Sequence, residues 1–431
     1  MLLAMSTYDT RIDRRILLEA GSLKEAGWDL IILGRRGMNL PFREEYRGIP
    51  IVRLEENSSS REYLKFQKKI SAIDSLFSWH NRLFKGLLGM EIRDFPRRFV
   101  KEELWQEIIT LSPFEYQVFS QLHQMKPRSI HAHDLPVLKP SLLASLLLKV
   151  PLVYDAHELF YAQTFPDPRQ QLKFFHLEKT LIPYPQAVIT VNRYIAQEMA
   201  GLYRIPEPRV ILNCTDFPAG FEPGKRYHKF ARLAGENKKI VLYQGGWLEN
   251  RNLENLIASA AYFKPNTILV LLGYGFNQEY IAGLHKLAQD LGVADRVFFH
   301  PAVGQEELLF YTASADLGVI PYRGEDLNTR YASPNKLFEY IAAGLPFLAN
   351  DLVFFREICE KYRCGKIIDF SHPELLSREI QNLLEDREAL EELKANTVLA
   401  AQTLCWEKEA VKLREIYRSL PNMPENNMIE S

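Results

Sequence analysis

Lys239-Ile240-Val241-Leu242-Tyr243-Gln244-Gly245-Gly246 is a short apolar run that ends in two glycines. A run of this length bounded by a turn signal reads as a buried strand. The spacing predicts a helix over 252–262, a strand over Thr267–Leu272 ending in Gly273-Tyr274-Gly275, and a helix over 278–291. A strand over Arg296–Phe299, a helix over 305–313 and a strand over Leu317–Ile320 follow. Strands that alternate with helices in this way imply a parallel sheet covered on both faces.

Upstream the same alternation recurs. Leu2–Met5 ends a strand, 12–26 is helical, and Trp28–Leu33 is a buried strand. Ser129–Ala132, Leu152–Asp155 and Ala187–Val191 are further strands, with a helix over 140–149. The fold class is therefore α/β, with two doubly wound Rossmann-like domains. We expect an N-terminal domain over 1–216, a linker rich in Pro, Gly and charge over 217–236, and a C-terminal domain over 237–402. A last helix over 403–420 is expected to return to the N-terminal domain, before a polar tail over 421–431. Two such domains imply a cleft at the carboxyl ends of their strands, where open α/β sheets bind ligands.

The segment from Ser333 to Pro346 carries the chemistry. It reads as a loop turning into a helix, with Pro334 at the start and Gly344-Leu345-Pro346 as the stop. A helix start offers unpaired N–H groups and a positive dipole end, which suits a phosphate. Lys336 in that first turn is unfavourable for the dipole, so an anion that offsets it is implied. Glu339 follows on the same face, where a carboxylate suits the hydroxyls of a ribose. A solvated Lys–Glu pair is the alternative.

The chain has 431 residues and a formal net charge of −1, which argues against a general nucleic-acid binder. The cysteines Cys214, Cys359, Cys364 and Cys405 fit neither a disulfide scaffold nor a zinc pattern. The start carries no secretory signal pattern, and no apolar run approaches a membrane span. A cytoplasmic protein is expected. An insertion over 57–125 breaks the alternation. From Arg61 to Lys101 it holds ten basic and four acidic residues, interleaved with apolar ones at near-helical spacing. Such a stretch is either a helical cap on its domain or a basic face for an anionic membrane.

An ordered set of patterns now supports a family. These are Asp9–Arg15, His131-Ala132-His133-Asp134, Tyr154-Asp155-Ala156-His157-Glu158 and Val188–Asn192. They continue with Tyr243–Gly246, Arg251-Asn252-Leu253, Leu272–Gly275, Ala315–Tyr322 and Pro334–Pro346. The chain resembles the GT-B glycosyltransferases of family 4, retaining enzymes that use nucleotide sugars, along nearly its whole length. The resemblance implies that the C-terminal domain binds the donor and the N-terminal domain the acceptor. It implies diphosphate contacts from Gly245, Gly246, Arg251 and Lys336, with Asn335 and Leu337 also binding the donor. Gly273 and His300 would line the donor, with residues 300–303 around the base, and Glu339 on the ribose. His157, Arg251 and Lys336 would be catalytic. His133, Asp134 and Glu158 would face the acceptor, a hydroxyl compound that the basic insertion suggests is lipid-linked. No cofactor and no metal are implied, although His131 and His133 beside acids invite a metal reading. The subgroup form Pro-Asn-Lys-Leu-Phe-Glu-Tyr departs from the family in one place. Tyr331 stands where relatives carry the first Glu of a Glu-x7-Glu pair. A non-catalytic sugar-nucleotide-binding partner and a 2-epimerase-like enzyme are the alternatives.

Overall fold

The computed structural model describes residues 1–77, 110–234 and 238–421. The described chain forms two compact units. Unit 1 comprises Met1–Val210 with Leu413–Ser431, and unit 2 comprises Ile211–Lys412.

Unit 1 is built on eight strands. They are β1 (Leu2–Ser6), β2 (Asp29–Arg35), β3 (Arg43–Tyr46), β4 (Ile49–Leu54), β5 (Ser129–His133), β6 (Leu152–Ala156), β7 (Ala187–Thr190) and β8 (Arg209–Val210). Their order is β3-β4-β2-β1-β5-β6-β7-β8. All pairs are parallel except the β3–β4 hairpin. β1 lies between β2 and β5, so successive strands diverge there and leave a crevice at the carboxyl ends of β1 and β5. β5 and β6 are buried at every position, as expected of strands covered on both faces.

Unit 2 carries six parallel strands in the order β11-β10-β9-β12-β13-β14. They are β9 (Lys239–Gly246), β10 (Thr267–Tyr274), β11 (Val297–Pro301), β12 (Leu317–Ile320), β13 (Phe347–Ala349) and β14 (Gly365–Ile367). The order reverses between β9 and β12, which puts the ligand crevice of this sheet at the end of β9, at Gly245 and Gly246. Val241, Tyr243, Leu269, Leu271, Leu317 and Val319 from the central strands form one core with Leu253, Leu256 and Ile257 of the helix Leu253–Ser259.

The stretch expected as a linker is packed on unit 2. Arg226 forks onto the Asp316 carboxylate at 2.7 and 3.1 Å, and the Phe221 and Tyr227 rings meet Phe310 edge-on. The closing helix, Trp406–Arg418, begins in unit 2 and ends in unit 1. There Tyr417 packs edge-on against Trp28 and bonds His131. Of the basic insertion, the helices Arg61–Phe77 and Pro113–Met125 are described, and Phe66 contacts the Tyr116 and Phe119 rings. Residues 78–109 lie outside the described residues, as does the tail beyond Pro421. Among the described residues no helix is long and apolar enough to cross a membrane.

Candidate functional site

In unit 2 the helix Asn335–Ala343 starts after Pro334, which is extended, and stops at Gly344 in the left-handed conformation. Its Tyr340 is fully buried against the sheet. The hydroxyl donates to the Leu242 carbonyl at 3.0 Å and accepts from the Gln244 N–H at 3.2 Å. That anchor fixes the first turn against the end of β9. Lys336 is 5% exposed, and its Nζ lies 3.9 Å from the Tyr243 ring centre and 5.0 Å from that of Tyr322. Arg251 puts its Cζ 4.0 Å from the Tyr322 ring centre. Two cations from separate elements thus share an aromatic floor at the end of β9. Burial, and then the charge of Arg251, pull the Lys336 ammonium well below its usual range, against the opposing pull of Glu339.

The backbone leaves room beside this pair. Gly245 has φ 120°, and a Cβ there would lie 3.1 Å from Lys336 Nζ. A Cβ on Gly273 would meet the Gly245 carbonyl oxygen at 1.9 Å, so only glycine fits where β10 passes β9. Gln244, 2% exposed, donates to a Glu339 carboxylate oxygen and accepts from the Thr312 hydroxyl.

In unit 1 the ends of β5 and β6 bring polar groups together. Arg15 is almost fully buried and binds Asp155 in a fork, Nε to Oδ2 at 2.8 Å and an Nη to Oδ1 at 3.0 Å. Arg15 Nε also lies 3.1 Å from Glu19. His157 Nε2 is 3.3 Å from Asp155 Oδ2, and His157 Nδ1 is 3.4 Å from Asp134 Oδ2. His131 and His133 stack at 4.2 Å behind them. Burial works against ionising Asp155, but Arg15 and His157 outweigh it and hold the carboxyl well below its usual range. Burial, then the Asp155 charge, push Glu19 well above its usual range, against the opposing pull of Arg15. Burial lowers His133 to about 4. It opposes charging His157 as well, yet Asp134 and Asp155 prevail and raise that imidazole to about 10. Burial lifts Asp134 to about 7.

Glu19, His131, His133 and Asp155 bring potential ligand atoms within 4.8 Å of one another. The cation among them is Arg15, whose Nε lies between the Glu19 and Asp155 carboxyls. A divalent ion would add charge next to that guanidinium, so this donor set does not fit a metal.

Two family models match the chain, "Glycosyl transferases group 1" over residues 225–398 and "Glycosyltransferase Family 4" over residues 91–217. D-inositol 3-phosphate glycosyltransferase of Thermobispora bispora is 30% identical over 306 residues, 67% of this chain and 69% of that protein. The chain belongs to the group 1 glycosyl transferases. D-inositol 3-phosphate glycosyltransferase of Thermomonospora curvata is 31% identical over 135 residues, 31% of this chain but only 30% of that protein's length. Two solved structures show the same fold. Sucrose-phosphate synthase from Thermosynechococcus elongatus has a TM-score of 0.69 at 19% identity, covering 97% of this chain and 98% of that one. HepE of Anabaena, in complex with UDP-glucose, has a TM-score of 0.70 at 16% identity, covering 97% and 100%.

In this glycosyl transferase the expected donor residues are only partly gathered. Gly245, Gly246, Gly273, Arg251 and Lys336 converge at the end of β9. Arg251 closes a 3-10 turn, Glu249–Arg251, two residues before the helix Leu253–Ser259. Asn335 opens the helix. The Leu337 side chain is fully buried in the core and its N–H is bonded to the Pro334 carbonyl, which corrects the expectation of a ligand contact there. Glu339 is turned to Gln244. His300 lies on β11, opposite Leu272 of β10, with Nδ1 2.7 Å from the Pro301 carbonyl oxygen. It is therefore two strand spacings, about 10 Å, from β9. Of the residues expected to face the acceptor, His133 and Asp134 both meet His157. Glu158 accepts from Gln163 Nε2 at 2.6 Å. Sequence reasoning missed Tyr243, Tyr322 and Gln244 at the end of β9, and Arg15 and Glu19 in unit 1. All but Glu19 stand inside the quoted motifs, but nothing in a motif says which face a residue takes.

Proposed function

We propose that this chain transfers a sugar from a nucleoside diphosphate sugar to a hydroxyl group, with the anomeric configuration retained. The observation that carries the reading is the Arg251–Lys336 pair over Tyr322 at the end of β9, beside a glycine whose missing side chain lets a diphosphate approach. Two cations held over one ring suit two adjacent phosphates. The low proton affinity of Lys336 fits a group that becomes fully charged when the diphosphate arrives.

The chemistry asks little covalent work of the protein. The hydroxyl oxygen bonds the anomeric carbon as the bond from that carbon to the diphosphate oxygen breaks, and the hydroxyl proton ends on the departing diphosphate. Arg251 and Lys336 stabilise the charge that develops there. In this reading Glu339, which Gln244 holds, binds the ribose, and His157 contacts the transferred sugar. HepE, bound to UDP-glucose in its crystals, supports a uridine diphosphate sugar as the first donor to try. The basic stretch from Arg61 to Lys101 supports a lipid-linked acceptor in cell-surface polysaccharide or glycolipid synthesis, at the cytoplasmic face of the membrane.

Calorimetric titration with a panel of nucleoside diphosphate sugars, followed by product analysis, tests this. A donor that binds and yields a new glycoside supports it. Binding without turnover favours a non-catalytic partner, and an epimerised or hydrolysed donor favours an epimerase-like enzyme. Sedimentation with anionic liposomes at low salt tests the membrane side, and no co-sedimentation would count against it.

A further inference from the structure

Gln244 follows the apolar run Ile240-Val241-Leu242-Tyr243 of β9 and is itself buried. Buried polar atoms need partners, and both ends of this amide have one. Nε2 donates to Glu339 Oε2, and Oε1 accepts from the Thr312 hydroxyl at 2.8 Å. A carboxylate repels an amide oxygen, so the amide faces Glu339 with its nitrogen. The Gln244 backbone N–H donates to the Tyr340 hydroxyl at 3.2 Å. Thr312 ends the helix Gln305–Thr312 and is fully buried. The side chain of Gln244 is therefore tied at both ends, to a helix on one side and to the carboxylate on the other.

An apolar residue would fill this place in the core without desolvating an amide. What the amide adds is a hold on a carboxylate. Glu339 lies three residues after Lys336 on the helix Asn335–Ala343, so the two share a face with Cβ atoms about 5–6 Å apart. A diphosphate gripped by Lys336 carries its ribose within reach of that carboxylate. An unheld glutamate side chain has rotamer freedom to lose when it binds. With Gln244 on Oε2, the ordering is complete before the ribose arrives.

We propose that Gln244 is a positioning residue that sets donor choice: it fixes the Glu339 carboxylate against the ribose hydroxyls, so that the site selects ribonucleoside diphosphate sugars over their 2′-deoxy counterparts. This rests on the donor reading above. Both ribose hydroxyls donate to the fixed carboxylate. A 2′-deoxy donor loses one bond to a charged acceptor, and a held carboxylate cannot swing to make up the loss. A loose carboxylate would settle on the remaining hydroxyl and discriminate less. Thr312 acts one step further back, by holding the amide that holds Glu339.

The test is calorimetric titration of UDP and of 2′-deoxy-UDP into the full chain, as wild type, Gln244→Met and Thr312→Val, with melting curves alongside. Wild type should prefer UDP by at least about 10-fold, the worth of one hydrogen bond to a charged group. Gln244→Met, close in volume but without the amide, should bring that preference below about threefold, and Thr312→Val should lower it in the same direction. A double-mutant cycle adds Glu339→Ala. In that background Gln244→Met should change UDP affinity by less than about twofold, because Gln244 acts through Glu339. A role in stability alone would lower the melting temperature and leave the UDP to 2′-deoxy-UDP ratio as it is. A ratio unchanged in both Gln244→Met and Thr312→Val overturns the proposal and leaves the donor reading standing. Should Gln244→Met fail to fold, the ratio in Thr312→Val decides. A wild type that binds the two nucleotides equally also overturns the proposal, with the diphosphate site intact. A wild type that binds neither overturns the uridine nucleotide as donor and this proposal with it.

Discussion

Arg251 and Lys336 stand over one ring, with the Arg251 guanidinium carbon 4.0 Å and the Lys336 ammonium 5.0 Å from the centre of Tyr322. The first comes from the turn after β9 and the second from the helix between β12 and β13. Like charges brought this close are unfavourable in the ligand-free protein, which marks the place where an anion gains most.

Removing either cation should therefore be costly to turnover and cheap to the fold. Arg251→Ala and Lys336→Ala are each expected to lower kcat by at least ~100-fold, the loss typical of one preorganised charge donor. Circular dichroism and melting should show an intact protein. Full activity in both variants would remove these residues from the mechanism.

Donor binding should be coupled to proton uptake. Because the Lys336 ammonium is held well below its ordinary 10.5 in the free protein, a diphosphate that restores its charge draws a proton from buffer. Calorimetry at pH 8.5 in two buffers of different ionisation enthalpy should give different apparent enthalpies, and affinity should fall as pH rises. The free protein carries the opposite sign. Its unfolded state holds the proton more tightly, so this group makes folding more favourable as pH climbs toward 10.5. Identical enthalpies in the two buffers would show that no proton is taken up.

His157 should be a fixed cation at neutral pH. Its folded value of about 10 lies above the ordinary 6.5. The stability that it contributes is fully present below pH 6.5 and fades as pH rises through about 10. The difference in Tm between wild type and His157→Gln should be widest near pH 6 and close toward pH 10. A difference that stays constant over that range would mean that the carboxylates do not hold the imidazole charged.

Gly273→Ala should disrupt the end of β9 rather than merely weaken it. The new methyl group would overlap the Gly245 carbonyl oxygen at 1.9 Å, between two paired strands that cannot separate locally. A cost of at least about 3 kcal/mol is expected, with a fall in Tm of about 6–12 °C. A variant as stable as wild type would show that β9 and β10 have more room than the paired backbone gives them.

The alternation of apolar runs made the strands of both sheets legible, because parallel strands covered on both faces are continuous hydrophobic stretches. The β3–β4 hairpin escaped, since Arg43–Tyr46 is polar and exposed and leaves no burial signal. β14 escaped for the same reason, being three residues with one lysine. Lys336 was legible because a cation is out of place at a helix start. The inward turn of Leu337 and the hold of Gln244 on Glu339 were not, because both depend on which face meets β9. The role of Arg15 could not be read from its motif, because its partner Asp155 lies 140 residues away in the chain.

The most direct measurement is calorimetric titration of UDP-glucose, and then of the other nucleoside diphosphate sugars, into wild type, Arg251→Ala and Lys336→Ala. Saturable one-to-one binding of at least one donor, weakened by ten-fold or more in each variant, is the expected result. Donor binding that is unchanged when Lys336 and Arg251 are removed would contradict a diphosphate site at the end of β9.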